Sequence, residues 1–345
     1  MSVEDRPAKV ANIFDVARLA GVSHQTVSRV LNDVPGVRPA TRQRVEQAIK
    51  QLRYTPSPAA RALVTRRTRM IGLITPGSAD FGPSSIAITF SEAAREARYS
   101  VIGVASVSPD VGSIKGVVES LLRERVEAVV LIAEDVALLD VVRSLEAGVP
   151  IIAVAAGQHR GPLTVSIDQY RGAREAVRHL VSLGHRNIAH LAGPSTSPDA
   201  IERVRGWRDE LAAARLVATE LSHGDWSAAS GHRFGMQLAC DSTTAVFAGN
   251  DQMAIGLMAA LRTRGLRVPE DISVVGFDDI PEAGYLVPPL TTVRQDFASL
   301  GALTMQQVLI ALEEPEAVAE SIPIPTRMVL RESTAPPPSA RDQEK

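Results

Sequence analysis

The chain of 345 residues contains a single cysteine, Cys240. One cysteine excludes an intrachain disulfide and indicates a reducing compartment. The first ten residues, MSVEDRPAKV, have no apolar core of the kind a signal peptide requires, and no apolar run is long enough to span a bilayer. We therefore expect a cytoplasmic protein that has no membrane partner.

Signatures of catalysis are also missing from the sequence. There is no Walker-type phosphate loop, no nucleophile elbow and no recognisable metal-ligand spacing. The seven histidines are scattered, and HRNIAH (185–190) is typical of a loop that enters a strand. We therefore expect no catalytic residue, no metal and no cofactor.

The charge is distributed unevenly along the chain. The net charge of −2 combines a basic segment, residues 1–70 with 13 Lys/Arg against 5 Asp/Glu, and an acidic remainder with 24 against 34. A hydrophobic content of 45% fits a globular protein with a full core, and the length indicates two or three domains. A basic module on an acidic body suits phosphate binding, since the acidic body limits non-specific attachment to DNA. The alternative is a solvated basic surface.

Residues 11–33 predict two short amphipathic helices joined by a tight turn. Asn12 occupies the N-cap position of the first helix with Asp15 three residues on, close to a capping box. Gly21 interrupts the apolar pattern and can adopt the backbone angles of a turn. Ser23 then occupies the N-cap position of the second helix.

The spacing of Ala17, Gly21 and Val27 is typical of a helix-turn-helix: a small residue, a turn glycine and a buried aliphatic. In that motif the start of the second helix enters the DNA major groove. A third helix is predicted over residues 40–52, with Arg38 in place of a good capping residue. The alternative is an ordinary helical hairpin with a polar face.

The N-terminal sequence resembles the headpiece of the lactose repressor (LacI/GalR) family of bacterial transcription regulators. Residues 15–32 match the family's D-V-A-x-x-A-G-V-S-x-x-T-V-S-R-V-L-N run at nearly every position. The resemblance extends over about residues 11–335. Four later segments also match: GDWSAASG (224–231), NDQMAIG (250–256), GLRVPEDISVVGFDD (265–279) and PPLTTVRQDF (288–297).

The resemblance implies a headpiece that reads double-stranded DNA. We expect His24 and Gln25 to lead base readout, with Arg29 reaching a base or a phosphate, because Gln and Arg can each form two hydrogen bonds with one base. Phosphate contacts set the register without reading sequence. We expect them from Ser23, Thr26, Ser28, Asn32 and Arg42.

Residues 57–65 resemble the hinge helix of the family. It is too short to be stable alone in water, so it would fold as DNA binds. In the family, two hinge helices of a dimer enter the minor groove, and the matching residues here are Ala60 and Leu63, the latter as a wedge between base steps. The alternative is that Leu63 packs against the body. A homodimer on a pseudo-palindromic operator follows from the resemblance.

From Met70 onward, apolar strands alternate with helices, which predicts parallel sheets covered on both faces. The expected class is α/β: a small all-α headpiece and a two-lobed, doubly wound effector domain like that of periplasmic binding proteins. We expect the chain to cross between lobes near 166–170, 290–294 and 320–326. The predicted divisions are a headpiece (1–56), a hinge and linker (57–69), a two-lobed domain (70–335; N-lobe about 70–166 and 294–322, C-lobe about 167–293 and 323–335) and a disordered tail (336–345).

Ligands of doubly wound sheets bind beyond the carboxyl ends of the strands, which indicates Asn250 and Asp278. The resemblance adds Arg203, Trp226 and Gln295. These groups offer donors and acceptors for vicinal hydroxyls and an aromatic face for a sugar ring. Core packing is the alternative for Trp226, and a loop or cap role is the alternative for Asp278.

The N-terminal lobe departs from the sugar binders of the family. Its predicted strands end at apolar residues, Pro76, Ala155 and the neighbourhood of Ile132 and Ala133, so we expect few partners for hydroxyls there. We expect one sugar unit, of galactoside type, on the C-terminal lobe and a different or more apolar aglycone on the N-terminal lobe.

The predicted function is that of a repressor whose operator affinity is lowered by a small carbohydrate. A corepressor such as a purine, or a phosphorylated carrier protein, remains the alternative effector. A free-standing transport receptor would share the fold of the body but would lack residues 11–65. The proline-rich tail has no leucine heptads, so we expect a dimer rather than a tetramer.

Overall fold

A computed structural model describes residues 11–31, 34–54, 67–106, 111–145, 147–157, 163–218, 220–314 and 322–338. The chain divides into two compact units, Met1–Thr68 and Arg69–Lys345. The predicted hinge residues Ala60 and Leu63, the predicted phosphate contact Asn32 and most of the predicted tail lie outside the described residues.

The first unit contains three helices, α1 (Ile13–Ala20), α2 (His24–Leu31) and α3 (Pro39–Leu52). The predicted capping box is confirmed: the Asn12 side chain accepts hydrogen bonds from the N–H groups of α1, and the Asp15 carboxylate accepts one from the Asn12 N–H at 3.1 Å. Gly21 ends α1 at φ 62°, a conformation that glycine adopts without steric cost.

The apolar faces of these helices form one small core. Val16, Val27 and Val45, one from each helix, are fully buried. Ser23 begins α2, and its Oγ accepts a hydrogen bond from the Thr26 N–H at 3.2 Å. The geometry is that of the predicted helix-turn-helix with a third supporting helix.

The second unit contains two sheets. The first is parallel, in the order β2-β1-β3-β4-β5. The second has the order β11-β10-β9-β8-β6-β7 and is parallel except for β11. The strands are β1 (Met70–Pro76), β2 (Ser100–Ser106), β3 (Ala128–Ile132), β4 (Ile151–Val154), β5 (Thr164–Val165), β6 (Ile188–Ala192), β7 (Leu221–His223), β8 (Ala245–Ala248), β9 (Ser273–Asp278), β10 (Thr291–Arg294) and β11 (Arg327–Val329).

Helices cover both faces of each sheet. On the first sheet, Phe90 and Leu300 pack over one face and Ile114 and Leu139 over the other. We call this sheet with its helices the N-lobe, and the second sheet with its helices the C-lobe. The N-lobe helices are α4 (Phe81–Glu96), α5 (Val111–Arg123), α6 (Val136–Ser144) and α11 (Phe297–Glu313); those of the C-lobe are α7 (Gln169–Ser182), α8 (Pro198–Ala213), α9 (Ala228–Gln237) and α10 (Asp251–Thr263). The predicted α/β class is confirmed.

The chain passes between the lobes after β5, after β10 and ahead of β11. The second passage follows Arg294 instead of lying within 290–294, because the β-branched run from Thr291 to Val293 continues as strand β10. Two of the passing segments are hydrogen-bonded to each other. The Asp168 N–H donates to the Ile324 carbonyl at 2.8 Å, and the Ile324 N–H donates to the Ser166 carbonyl at 2.9 Å.

Helices α9 and α10 pack closely because glycine occupies both sides of their contact. A Cβ on Gly231 would overlap the Met253 carbonyl, and a Cβ on Gly256 would overlap the Ala228 carbonyl, each well inside 3.0 Å. This approach holds the N-terminal ends of α9 and α10 side by side. Trp226 and Asn250, which precede those helices, are therefore brought to the same edge of the C-lobe sheet.

Candidate DNA-recognition surface and ligand cleft

A cleft lies between the two lobes, at the carboxyl ends of their strands. The space between its walls, counted together with the open solvent at its mouth, is about 700 Å³. We call its C-lobe side, formed by polar and aromatic side chains, the C-lobe wall: Gln169, Arg203, Trp226, Asn250, Asp278 and Gln295. The five C-lobe residues predicted from the sequence are all on this wall, which also contains one that was not predicted, Gln169.

Arg203 is the centre of the C-lobe wall. It is 3% exposed, and its Nε donates a hydrogen bond to Gln169 Oε1 at 2.9 Å. Its Nη1 bonds to the Gly249 carbonyl, and its Nη2 lies 3.7 Å from Asp278 Oδ1. The guanidinium lies over the Phe277 ring, 3.9 Å from the centroid. A buried charge requires such partners, since it is costly when unpaired.

Two amide side chains connect this arginine to the buried carboxylate. Gln169 Nε2 donates to Gln295 Oε1 at 2.7 Å, and Gln295 Nε2 donates to Asp278 Oδ1 at 2.6 Å. Burial raises the pKa of Asp278 to about 6, although Arg203 and the Gln295 hydrogen bond act to lower it. The C-lobe wall is thus a connected network, in which each hydrogen bond constrains the next side chain.

Trp226 forms the aromatic part of the wall in an unusual backbone conformation. Its φ is 68°, which is costly for a bulky residue. The ring is half-buried, and the Arg203 guanidinium lies 5.3 Å from its centroid. It packs so closely on Gly193 that a Cβ there would overlap the indole. The ring packs against the C-lobe core and also lines the cleft, so both interpretations of this residue apply.

Asn250 lies in the wall, but its side chain is engaged elsewhere. Its Oδ1 accepts a hydrogen bond from the Met253 N–H at 2.9 Å and so caps α10. Its Nδ2 donates to the Trp226 carbonyl and to Gln252 Oε1, each at 3.0 Å. In this conformation Asn250 positions Trp226 and has no free donor for a ligand.

We call the opposite side of the cleft the N-lobe wall. Its strands end in apolar residues as expected, with Ile132, Ala133 and Ala155 in the lining. The expectation of fewer hydroxyl partners stays a prediction. The lining on this side also contains two carboxylates that were not predicted, Asp80 and Glu134, in the loops beyond the strands. Glu134 directly follows Ala133, and that position was the signal from which it could have been found.

Asp199 was also missed, although its spacing to Arg203 held a clue. It lies four residues before the arginine on α8, and its Oδ2 is 3.8 Å from the Arg203 Nη2. Burial raises the pKa of its carboxyl, and the Arg203 charge acts to lower it. Close to this residue, the lobes are joined by a hydrogen bond from the Val136 N–H to the Thr196 carbonyl at 3.1 Å.

The first unit presents the predicted DNA-reading residues on the surface. His24, Gln25 and Arg29 are exposed on α2. Ser23 Oγ and Thr26 Oγ1 lie 3.0 Å apart, so these two hydroxyls bond to each other at the start of that helix. Ser28 and Arg42 are half-buried.

An exposed aromatic beside His24 was not predicted. Phe14 is 59% exposed, and its ring centroid lies 5.2 Å from that of His24. The Phe14 ring therefore limits the orientations that the imidazole can adopt. Its signal in the sequence was an aromatic on the polar side of the first helix.

The described residues contain neither a candidate membrane-spanning helix nor a candidate metal site. None of the helices in this part of the chain is both long and apolar enough to cross a membrane. Within the same residues, no group of three or more His, Cys, Asp or Glu is arranged to hold a metal ion.

A two-lobed ligand cleft and a helix-turn-helix unit in one chain define a class: DNA-binding regulators with a receptor domain. Residues 12–57 match the model of bacterial regulatory proteins of the lacI family, and residues 177–334 match that of the periplasmic binding protein-like domain. The chain is 35% identical to the lactose operon repressor of Escherichia coli (strain K12), over 95% of this chain and 92% of that protein.

Two solved structures are similar over nearly the whole chain. The Lac repressor dimer bound to operator and the anti-inducer ONPF has a TM-score of 0.84 at 35% identity, covering 95% of this chain and 100% of that one. A complex of the transcriptional regulator CelR with cellobiose has a TM-score of 0.71 at 30% identity, covering 94% and 99%. The chain belongs to the lacI family of bacterial regulatory proteins, and it is a DNA-binding transcriptional repressor of that family.

Proposed function

We propose that this repressor binds its operator as a homodimer and releases it when a small carbohydrate of galactoside type enters the cleft. The observation that carries the proposal is the C-lobe wall, where Arg203, Asp278 and Gln295 form a prearranged set of donors and acceptors beside the Trp226 ring. Such a set matches vicinal hydroxyls, and the ring face matches the apolar side of a pyranose. A structural relative in complex with cellobiose supports a saccharide ligand.

Within the network, each group has a defined part. Asp278 accepts hydrogen bonds from sugar hydroxyls, and Arg203 donates to the hydroxyl oxygens. Gln295 holds the Asp278 carboxylate in place, and Asn250 holds the backbone of Trp226. The strained φ of Trp226 supports this assignment, because such conformations concentrate at ligand sites.

On the DNA side, His24 and Gln25 read base edges in the major groove, and Arg29 reaches a base or a phosphate. Ser23, Thr26, Ser28, Asn32 and Arg42 contact phosphates, and Ala60 and Leu63 act in the minor groove. Replacing Gln25 by Ala should therefore reduce the binding free-energy preference for one base pair over the others, at one operator position, by about 1–3 kcal/mol. Replacing Arg42 by Gln should weaken binding to all operator variants equally.

Sugar binding acts through two states of the dimer. In one state the lobes keep the two hinge segments together and the operator is bound; in the other the sugar changes the angle between the lobes and the hinges separate. The sugar shifts this equilibrium only by its differential affinity for the two states, and a differential of about 100-fold corresponds to roughly 2.7 kcal/mol.

The operator is first obtained by selecting bound sequences from a randomised DNA pool. The proposal expects two inverted half-sites, and sedimentation of the protein alone should give the mass of a dimer. A tetrameric mass would contradict the assembly. Selected sequences without inverted symmetry would contradict the dimeric readout.

Fluorescence anisotropy of the selected operator then identifies the effector from a panel of galactosides, glucosides and purines. Release by a galactoside is the expected result. Tighter operator binding in the presence of a purine would show that the effector is a corepressor and not an inducer. Unchanged binding with every member would favour a phosphorylated carrier protein as the effector.

A further inference from the structure

The cleft continues outward into a second groove, which we call the outer groove. The two share Asp80, Ile132, Glu134 and Trp226 in their linings. The outer groove adds about 970 Å³ of open space, and its other lining residues include Ser78, Asp135, Thr196 and Asp225. A ligand on the C-lobe wall therefore has room to extend past Trp226 between the lobes.

Among the charged side chains of this path, carboxylates outnumber cations. Asp80, Glu134 and Asp199 line the cleft together with Asp278, whereas among the described residues Arg203 is the one cation in its lining. The lining of the outer groove, over the same residues, contains no Lys, Arg or His. A second negative charge from a ligand would have no cation to meet on the N-lobe wall.

These carboxylates differ in how far the protein already satisfies them. The Asp135 carboxylate accepts a hydrogen bond from the Ala137 N–H at 2.8 Å, and Asp225 pairs with Arg233 at 3.2 Å. Asp80 stands at the N-cap position of α4 but makes no capping hydrogen bond with its side chain. Glu134 accepts one hydrogen bond, from Ser78 Oγ at 3.1 Å.

Burial and the neighbouring Asp80 and Asp199 charges raise the pKa of Glu134, so these groups lie within electrostatic reach of one another. Two carboxylates with spare acceptor positions at the edge of a ligand cleft match groups that donate hydrogen bonds. A hydroxyl can donate to them, and a protonated amine would also compensate their charge. A carboxylate or phosphate would add repulsion in a partly desolvated site.

We propose that the effector is a glycoside of at least two units, whose second unit lies against Asp80 and Glu134, donates hydrogen bonds to them and carries no negative charge. This inference rests on the proposed function, because it takes the C-lobe wall as the site of the first unit. It excludes sugar phosphates and uronic acids as effectors.

Trp226 allows the charge of the site to be tested without any sugar. The protein has two tryptophans, and Trp207 is only 1% exposed, so quenching by solutes reports mainly on Trp226. The tryptophan fluorescence of the full-length protein is measured as caesium, iodide or neutral acrylamide is added. Each quenching constant is divided by the constant of the same quencher for free tryptophan amide. Caesium should quench more effectively than iodide.

In the double variant Asp80→Asn, Glu134→Gln, iodide quenching should rise by a factor of about two, as expected when local charge repulsion is removed. The matched control is Glu270→Gln, which removes one exposed carboxylate elsewhere on the C-lobe. It should leave quenching by caesium and by iodide unchanged. Iodide quenching that equals or exceeds that of caesium in the unmodified protein would overturn the proposal.

A second arm measures binding by calorimetry with three probes that share a β-galactosyl first unit. Their second units are glucose, glucosamine and glucuronic acid. The glucosamine probe should bind at least as tightly as the glucose probe. The glucuronic acid probe should bind about ten times more weakly than the glucose probe, and this difference in affinity should be smaller in Glu134→Gln. Equal or tighter binding of the acid would overturn the proposal. If no probe binds while caesium quenching dominates, the galactoside in the proposed function fails and the charge of the second subsite stands.

Discussion

On the C-lobe side of the cleft, a chain of hydrogen bonds runs from Arg203 through Gln169 and Gln295 to Asp278. On the N-lobe side, Glu134 accepts a single hydrogen bond, and Asp80 makes none as an N-cap. In the first wall each member of the network positions another. The second wall leaves acceptor positions on its carboxylates. This difference supports the proposal that one lobe orients the effector and the other selects its charge.

The largest effect should follow from breaking the C-lobe network. Arg203→Met leaves Asp278 buried without its cation, so the free energy of unfolding should fall by about 3–5 kcal/mol at neutral pH. Urea denaturation measures this change. Arg203 acts to lower the Asp278 pKa, which is about 6 in the unmodified protein, so without it the carboxyl becomes neutral at a higher pH and the loss should shrink as the pH falls toward 6.

The matched control for that change is Arg233→Met. Arg233 pairs with Asp225 on the surface, where the side chains are 65% and 60% exposed, so its removal should cost less than about 1 kcal/mol. Equal losses in the two variants would show that the C-lobe network does not stabilise the protein in the way described.

The next effect compares the packing behind the two walls. Gly256→Ala places a methyl group against the Ala228 carbonyl in the α9–α10 contact and should cost about 1–3 kcal/mol. Gly116→Ala lies on an open face of α5, where nothing is within 4 Å, and should stabilise the protein by about 0.5–1 kcal/mol. Thermal unfolding of both variants measures these two changes in stability. A stabilised Gly256→Ala would contradict the tight packing.

A third prediction concerns pH and the buried Asp251, whose carboxyl accepts hydrogen bonds from Thr292 Oγ1 at 2.6 Å and the Ile280 N–H at 2.9 Å. Burial and the Asp278 charge raise its pKa to about 8. Below that pH the folded protein holds a proton that the unfolded chain, with a pKa of about 3.9, has released. Stability should therefore fall as the pH rises toward 8.

The expected slope is about 1 kcal/mol per pH unit just below pH 8. Burial lowers the pKa values of His179, His185 and His190, so below about pH 7.5 the unfolded chain binds protons at these groups that the folded protein lacks, and their contribution opposes that of Asp251. Asp251→Asn should flatten the curve. A variant that keeps the slope of the unmodified protein would assign the proton to another group.

The smallest effect is expected on the N-lobe wall. Glu134→Gln removes a carboxylate that its surroundings disfavour, so it should raise stability slightly, by less than about 1 kcal/mol. Asp225→Asn should act in the opposite direction, since hydrogen bonds from Ser227 lower the pKa of that carboxyl to about 2. Chemical denaturation at neutral pH shows whether the free energy of unfolding rises in Glu134→Gln and falls in Asp225→Asn. A large loss in Glu134→Gln would mean that this wall, too, is a structural network.

The sequence predicted the elements and one wall of the cleft. Strand and helix periodicity located β9 and α10, and the rule that ligands bind beyond carboxyl ends placed Asp278 at the cleft without any coordinates. Position alone did not give the role of Asn250, because capping and ligand binding use the same side-chain atoms. The structure shows it capping α10 and holding Trp226.

On the N-lobe wall the same rule reaches Glu134, which follows β3 after one residue, but the prediction stopped at the apolar residues that end the strands. Asp80 and Glu134 are 54 residues apart and lie in loops after different strands, so only the packing of β1 against β3 brings them together. Gln169 likewise reaches Gln295 across 126 residues. Such contacts depend on tertiary structure and leave no periodic pattern in the sequence.

The most direct test of the central claim follows operator release in the unmodified protein and in Arg203→Lys. Lysine keeps the charge but loses the planar fork of donors that the network uses. With the tightest-binding glycoside of the panel, the unmodified protein should lose about 100-fold in operator affinity. The variant should bind the operator as before and fail to release it. Equal release from both proteins would show that the C-lobe wall is not where the effector acts.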